Sequence, residues 1–264
     1  MFEPLTLPFM QRALVGGLLV SLLAGYFGPF IVQRRLAFLG SGLAHAAFGG
    51  VALGLLLNAQ PLWTALPFTV IVALGIVWLR DRAGLASDTT IGVFFSISMA
   101  LGLVFFSLKK TYSADAFTYL FGSLLAINRS DLWTASAILV LSAATIPLWG
   151  RWAYASFDPA LARADRLPVQ RDDYLLTVAI AVVTVVAIKL VGIVLIAAFL
   201  VMPAACARVF AKTFAGMSLL SVLISAATLV AGLYASYFAN LPSGPAIILT
   251  QAVLLGIGLI ARRR

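Results

Sequence analysis

The chain reads LAFLGSGLAHAAFGGVALGLLL from residue 36 to residue 57, a stretch that contains no charged side chain. A helix of about 20 apolar residues is long enough to cross the hydrocarbon core of a bilayer. The stretch therefore predicts a transmembrane helix, and it sets the expectation for the rest of the chain.

Composition extends this prediction to the whole sequence. Of the 264 residues, 62% are hydrophobic and 10% are charged, and the mean hydropathy is +1.07. Soluble domains carry about 25% charged residues. We therefore expect an all-α, polytopic membrane protein with one transmembrane domain over residues 1–264, which excludes a separate catalytic or ligand-binding globular module.

Apolar runs bounded by charged residues, glycine and proline predict about nine transmembrane helices, with eight or ten as alternatives. The predicted spans are 9–32, 36–57, 61–79, 90–108, 131–149, 174–188, 190–207, 214–238 and 245–261. The two short runs beside Lys189 are typical of a broken helix. A shorter apolar segment, 117–127, is predicted to be interfacial or re-entrant.

The net charge of +9 indicates an orientation rather than a nucleic-acid partner, because basic residues of membrane proteins gather in cytoplasmic loops. Nine spans with a cytoplasmic C-terminus place most basic residues inside and the N-terminus outside. The tryptophans, which favour the membrane interface, all lie at or next to predicted span ends. They are Trp63, Trp78, Trp133, Trp149 and Trp152.

The acidic side chains all lie in predicted loops or at span edges, so we expect no carboxylate in the middle of a span. Ion-coupled carriers generally bind the coupling ion through such groups, which disfavours a secondary transporter. The sequence also lacks the GxxxxGKS or GxxxxGKT, HExxH and GxSxG motifs. The chain is therefore not expected to be an enzyme, and energy for transport must come from a partner.

The histidine His45 lies within the span 36–57. Small residues recur at every fourth position of this span and form a ridge that lets another helix approach closely, with Ser41 and His45 on the adjacent ridge. The ridge consists of Gly42, Ala46, Gly50 and Gly54. His45 is either a packing residue that hydrogen-bonds across two helices or a permeation-path residue that binds a divalent transition metal transiently.

The predicted loop 150–173 contains a helix with its own start signal. Asp158 is a candidate N-cap, Pro159 suits the first helical position, and residues 160–166 are good helix formers. The segment is either an amphipathic turn on the membrane or a docking helix for a cytosolic partner.

Six motifs, in order along the chain, resemble those of the membrane (permease) subunit of ATP-binding-cassette importers for zinc, manganese and related metals. They are RRLAFLGSGLAH at 34–45, DTTIG at 88–92, YLFGSLLA at 119–126, SFDPALA at 156–162, VGIVL with PAACAR at 191–195 and 203–208, and LPSGP at 241–245.

This resemblance implies a homodimeric pore in the bacterial cytoplasmic membrane, two cytosolic ATPase subunits and an extracytoplasmic metal-binding protein. It also implies no stably bound cofactor, and transported Zn²⁺, Mn²⁺ or Fe²⁺. The cytoplasmic coupling loop 150–173 is then expected to contact the ATPase. The contact residues implied are Phe157, Asp158, Pro159, Ala160 and Arg163.

The resemblance further implies that His45 is a metal ligand on the pathway. Family members often carry aspartate four residues earlier, where this chain carries Ser41. Because Mn²⁺ favours carboxylates and imidazole suits zinc, this departure favours zinc over manganese or iron. A passive channel, a secondary transporter and a non-transporting scaffold are the alternatives from other classes.

Overall fold

The computed structural model describes residues 7–109, 122 and 127–262. Those residues form eleven α-helices and a short 3-10 helix (Ile146–Leu148), with no strand among them, so the predicted all-α fold is confirmed. The α-helices are α1 (Pro8–Gln33), α2 (Leu39–Leu56), α3 (Pro61–Ala83), α4 (Ser87–Leu108), α5 (Arg129–Ala143), α6 (Trp149–Phe157), α7 (Pro159–Ala164), α8 (Val169–Val191), α9 (Ile196–Phe210), α10 (Phe214–Ala239) and α11 (Ser243–Arg262).

Seven helical stretches in the described part of the chain are long and apolar enough to cross a membrane. They are α1, α2, α3, α4, the stretch Arg129–Phe157, α10 and Ser243–Ala261. Helix α9 is apolar but has only 15 residues, and α8 starts within a charged segment. The predicted count of nine adds these two helices to the seven.

The predicted break near Lys189 lies slightly further along the chain, at Gly192. Helix α8 ends where Gly192 adopts φ 93° and ψ 152°. This conformation is essentially restricted to glycine, whereas a lysine does not by itself end a helix. Gly122 lies against this break, because a β carbon on it would overlap Val191 and Gly192. Apart from Gly122 and Ile127, the predicted interfacial segment 117–127 lies outside the described residues.

The fifth span continues beyond its predicted end. After the 3-10 turn, α6 carries the helical path through Phe157, so the first part of the predicted loop 150–173 is helical. Its inner face buries Trp152, whose ring meets Phe30 of α1 edge to face at 6.0 Å between centroids. Trp152 is therefore buried against α1 and not exposed on the surface of the bundle.

Helices α1 and α2 are the most enclosed of the seven candidate spans. Helix α1 packs on α5, α8, α9 and α10, and α2 lies between α3 and α4. The outer helices leave large apolar side chains exposed, among them Leu103, Val140, Leu219 and Val253. An apolar exterior of this kind suits lipid or another apolar partner.

Candidate functional site

The predicted ridge of small residues on α2 makes the close helix contacts that its spacing indicates. A β carbon on Gly50 would lie 2.5 Å from the Cα of Ala65 on α3, and one on Gly42 would lie 2.6 Å from the side chain of Ile91 on α4. Glycine at position 50 therefore lets the backbones of α2 and α3 approach closely, whereas the close neighbour of Gly42 is the side chain of Ile91. The result is a tightly held α2.

His45 projects from α2 as a half-buried side chain. Its ring lies 4.4 Å from the ring of Phe95 on α4, measured between centroids. Its Nδ1 lies 2.9 Å from the carbonyl oxygen of Ser41, one turn earlier on the same helix. When Nδ1 carries the proton and donates to that carbonyl, Nε2 keeps a lone pair that a metal ion can accept.

The hydrogen bond of His45 stays within α2. Across the described part of the chain, His45 makes no hydrogen bond to another helix, and its contact between helices is the aromatic one with Phe95. A polar side chain held mainly for packing in a membrane usually hydrogen-bonds to the neighbouring helix. Within the described residues, Nδ1 of His45 is thus hydrogen-bonded within α2, and Nε2 makes no hydrogen bond that would hold two helices together.

Ser41 lies on the same face as His45 and lines a cavity of about 520 Å³ between α2, the start of α4 and α9. Asp88 and Met202 are also in its wall. Asp88, predicted to lie in a loop or at a span edge, is in the first turn of α4. Within residues 7–109, 122 and 127–262, no three His, Cys, Asp or Glu side chains come together as a metal site.

The predicted start of the helix after residue 157 is confirmed. The Oδ1 of Asp158 accepts hydrogen bonds from the backbone N–H groups of Ala160 at 3.0 Å and Leu161 at 2.9 Å, and Pro159 occupies the first helical position. The helix is shorter than the predicted run 160–166, since α7 ends at Ala164. Arg166 then turns the chain with a positive φ of 59°.

Phe157 at the end of α6 and Leu161 of α7 form an exposed apolar surface at one end of the bundle. Phe157 is 59% exposed and Leu161 is 50% exposed. Beneath them Ala162 is buried against Ala155 and Val169, so the helix is anchored on its inner face only. Of the residues predicted to contact a cytosolic partner, Phe157, Asp158, Pro159, Ala160 and Arg163 are all exposed.

Two consecutive carboxylates at the start of α8 connect this helix to the helices near α7. Asp172 is fully buried and accepts hydrogen bonds from Nε and Nη2 of Arg151 on α6, at 2.7 and 2.6 Å. Paired donors of this kind make the stronger class of charge-assisted hydrogen bond. Asp172 therefore fixes α6 to α8.

Asp173 makes the corresponding connection to α1 and α3. Its Oδ1 forms an ion pair with Arg34, the residue that follows α1, and its Oδ2 lies 2.9 Å from Nη2 of Arg80 near the end of α3. Nε of Arg34 also donates to Oγ of Ser156 on α6, at 2.7 Å. One aspartate thus joins three helix ends beside the exposed α7.

The sequence does not predict this ion-pair cluster. From the sequence, Asp172 and Asp173 are expected in loops or at span edges, and Arg34 and Arg80 are expected in cytoplasmic connections. The sequence signal for this cluster is the pair of adjacent carboxylates at the start of a long apolar run. Two negative charges at such a position are unfavourable unless basic side chains neutralise them.

Comparison with known proteins extends over nearly the whole chain. The sequence pattern of the ABC 3 transport family matches residues 6–262. The manganese transport system membrane protein MntC of Listeria innocua is 35% identical over 254 residues, which cover 96% of this chain and 90% of that protein. The high-affinity zinc uptake system membrane protein ZnuB of Haemophilus influenzae is 31% identical over 253 residues, covering 96% and 97%.

A solved structure shows the same fold. The complex described as PsaBC from Streptococcus pneumoniae with Fab contains a chain that matches with a TM-score of 0.84 and 33% sequence identity. The match covers 96% of this chain and 91% of that one.

Proposed function

This chain belongs to the ABC 3 transport family, and we propose that it is the pore-forming membrane subunit of an ATP-driven importer of divalent transition metal ions, with zinc as the preferred ion. The observation that carries the proposal is α7. This N-capped helix presents Leu161 to solvent, next to Phe157 at the end of α6 and beside the ends of α1, α3 and α8. A helix anchored on one face and apolar on the other is suited to docking a soluble subunit.

The metal is the cargo of this pore. The free nitrogen of His45 is a ligand suited to zinc, and Ser41 supplies a hydroxyl where a carboxylate would favour manganese. Relatives are named for both metals. The single imidazole and its neighbouring hydroxyl support weak binding, which lets the ion leave again.

In the proposed assembly, two copies of the chain form the pore and two cytosolic ATPase subunits dock on the coupling loop 150–173. The docking surface consists of Phe157, Asp158, Pro159, Ala160 and Arg163. An extracytoplasmic metal-binding protein delivers the ion. ATP binding and hydrolysis would shift the pore between outward-facing and inward-facing states.

The proposed topology has nine spans, an external N-terminus and a cytoplasmic C-terminus in the bacterial cytoplasmic membrane. Arg34, Arg80 and Arg208, which lie in three separate connections predicted to be cytoplasmic, line one cavity of about 600 Å³ together with Phe157. Their meeting at one end of the bundle supports a common side for these connections.

A passive channel or a secondary transporter is the competing proposal. Within the described residues, the aspartates lie at helix ends or in connections, so no carboxylate sits midway along a candidate span. This arrangement does not favour an ion-coupled carrier.

The proposal is tested by uptake of radioactive zinc in bacterial cells deleted for their own zinc and manganese importers. The chain is expressed with and without its cognate ATPase subunit, and manganese is added as competitor. We expect uptake that requires the ATPase and resists manganese. Uptake by this chain alone would overturn the ATP-driven mechanism in favour of a channel or carrier, and uptake blocked by equimolar manganese would overturn the preference for zinc.

A further inference from the structure

We propose that Asp172 and Asp173 are positioning residues that form the mechanical joint between the docking helix and the transmembrane helices around His45. This inference rests on the proposed function, because it concerns how movement of a docked ATPase reaches the pore. It assigns a role in coupling to two residues that are neither among the five proposed docking residues nor among the proposed metal ligands.

The first half of the joint connects α8 to the docking segment. Asp172 is completely buried, and its two oxygens face the two donors of Arg151 on α6. The helix α6 leads directly into α7, with only Asp158 between them. Any displacement of α7 that moves α6 must therefore carry α8 along or break a buried ion pair, which is costly because it leaves a charge uncompensated.

The second half connects α8 to α1 and α3. The side chains of Asp173 and Arg34 are only 16% and 12% exposed, and Arg80 reaches the other oxygen of the same carboxylate at 2.9 Å. Arg34 also returns to the docking segment, where it binds Oγ of Ser156 at 2.7 Å and the carbonyl oxygen of Trp152 at 3.4 Å. Partly buried ion pairs are screened less than surface pairs and so hold a defined geometry.

From Arg80 the connection continues along α3 to the helix that carries His45. Helix α3 is continuous from Pro61 to Ala83, with Pro67 inside it, and near its other end Ala65 packs directly on Gly50 of α2. The backbones there are too close to slide independently, since a single β carbon would not fit between them. A shift of Arg80 is therefore passed to α2 by rigid packing.

The alternative is that these ion pairs only stabilise the fold and do not affect coupling. The two carboxylates that contact Arg80 provide a control for this alternative. Its Nη2 lies 2.9 Å from Oδ2 of Asp173 and also 2.9 Å from Oδ1 of Asp81. Asp81 belongs to α3 itself and reaches α8 only through Gln170, whose Nε2 donates to it at 3.2 Å. Asp173→Asn and Asp81→Asn thus remove the same charge from the same guanidinium, but only the first removes the carboxylate that joins α8 to both α1 and α3.

The experiment uses the chain and its cognate ATPase subunit, purified as a complex and reconstituted in liposomes with the metal-delivery protein. Zinc uptake and ATP hydrolysis are measured in the same vesicles, and their ratio is compared between variants. We expect Asp173→Asn to assemble normally and hydrolyse ATP, but to transport about tenfold less zinc for each ATP. Asp81→Asn should keep the wild-type ratio.

An unchanged ratio in Asp173→Asn overturns the joint, and so does an equal fall in Asp81→Asn. If Asp173→Asn does not assemble, Asp173→Glu takes its place: it keeps the charge but displaces it, so a lowered ratio supports the joint and a wild-type ratio overturns it. Absence of ATP-dependent uptake by the wild-type complex would instead overturn the proposed function, together with the inference that rests on it.

Discussion

His45 combines two properties that a residue on a metal pathway needs. Its Nδ1 is held by the carbonyl of Ser41 at 2.9 Å, which fixes the ring and leaves Nε2 as the free nitrogen when Nδ1 carries the proton. Its contact with the tilted ring of Phe95, at 4.4 Å between centroids, limits the ring further. A ligand that is oriented in advance but acts alone binds an ion briefly, as transport requires.

The first prediction separates this role from packing. His45→Gln keeps a polar, hydrogen-bonding side chain of similar length but removes the imidazole, so it should lower zinc uptake by about 10- to 100-fold. His45→Ala should lower it equally. Uptake is measured in cells that express the complete importer, with the amount of assembled complex determined for each variant.

The control for this prediction is Ser98→Ala on the facing helix α4. The hydroxyl of Ser98 is buried and has no hydrogen-bond partner among the described residues, so its removal should leave uptake unchanged. Wild-type uptake by His45→Gln would show that His45 serves packing.

Ser41 provides a second prediction, concerning the choice of metal. Ser41→Asp places a carboxylate one turn from His45 and should lower severalfold the manganese concentration that halves zinc uptake, because Mn²⁺ favours oxygen anions. Ser41→Asn has a similar shape without the charge and should not change that concentration. Equal competition curves for the two variants would exclude Ser41 from the metal pathway.

His45 and Ser41 are predicted as candidate metal ligands from the sequence alone, whereas the ion pairs of Asp172 and Asp173 are not. A histidine within an apolar run is conspicuous, since its environment follows from its immediate neighbours. The role of Asp173 depends instead on Arg34 and Arg80, which are 139 and 93 positions away along the chain. Only the folded arrangement shows that these side chains meet.

At the scale of elements, α7 depends on its cap. It has six residues, and the carboxylate of Asp158 satisfies two of its first N–H groups. Asp158→Ala removes this cap at a cost of about 1 kcal/mol, a large penalty for so short a helix. We expect reduced co-purification of the ATPase subunit and lower metal-dependent ATP hydrolysis, with the transmembrane helices intact.

Asp158→Asn is the matched control, because asparagine caps helices about as well as aspartate. It should bind the ATPase like the wild-type chain. If Asp158→Asn fails as Asp158→Ala does, the charge of Asp158, and not the capping of α7, is what the ATPase requires.

A further element-scale prediction concerns the break between α8 and α9. Gly192 has φ 93° and ψ 152°, a region essentially closed to other residues. Gly192→Ala should therefore destabilise the protein by about 1–3 kcal/mol, measured as a lower unfolding temperature in lipid nanodiscs. Gly150→Ala is the control, because a β carbon there meets no atom within 4 Å and Gly150 lies in α6. Equal unfolding temperatures for the two variants would contradict the strain argument.

The start of α7 and the end of α8 also show which parts of the local structure can be predicted from the sequence. The start of α7 is predictable because Asp158 and Pro159 act on their immediate neighbours. The end of α8 is predicted too early because the prediction relies on the charge of Lys189, whereas the backbone conformation of Gly192 ends the helix. The extension of the fifth span through α6 depends on burial of Trp152 against Phe30, which is a tertiary contact.

At the scale of the whole molecule, the proposed docking surface and the helix that carries His45 are connected by packed helices. Helix α7 lies beside the ion pairs of Asp172 and Asp173, and α3 leads from there to α2. These contacts reach α3 and the two most enclosed candidate spans, α1 and α2. In the proposed mechanism, coupling and metal passage use the interior of the bundle, while the outer helices are free to face lipid or a second copy.

The last prediction tests the proposed topology. Cys206 is the single cysteine of the sequence and is buried, so Cys206→Ala gives a background for single cysteines at exposed sites. With nine spans and an external N-terminus, Gln60→Cys and Leu241→Cys should react with a membrane-impermeant maleimide in intact cells, whereas Ala86→Cys should react only after permeabilisation. The physical reason is the gathering of basic residues on the cytoplasmic side. Labelling of Ala86→Cys in intact cells would reverse the orientation, and opposite results for Gln60→Cys and Leu241→Cys would exclude a nine-span chain, because the two connections must then lie on different sides.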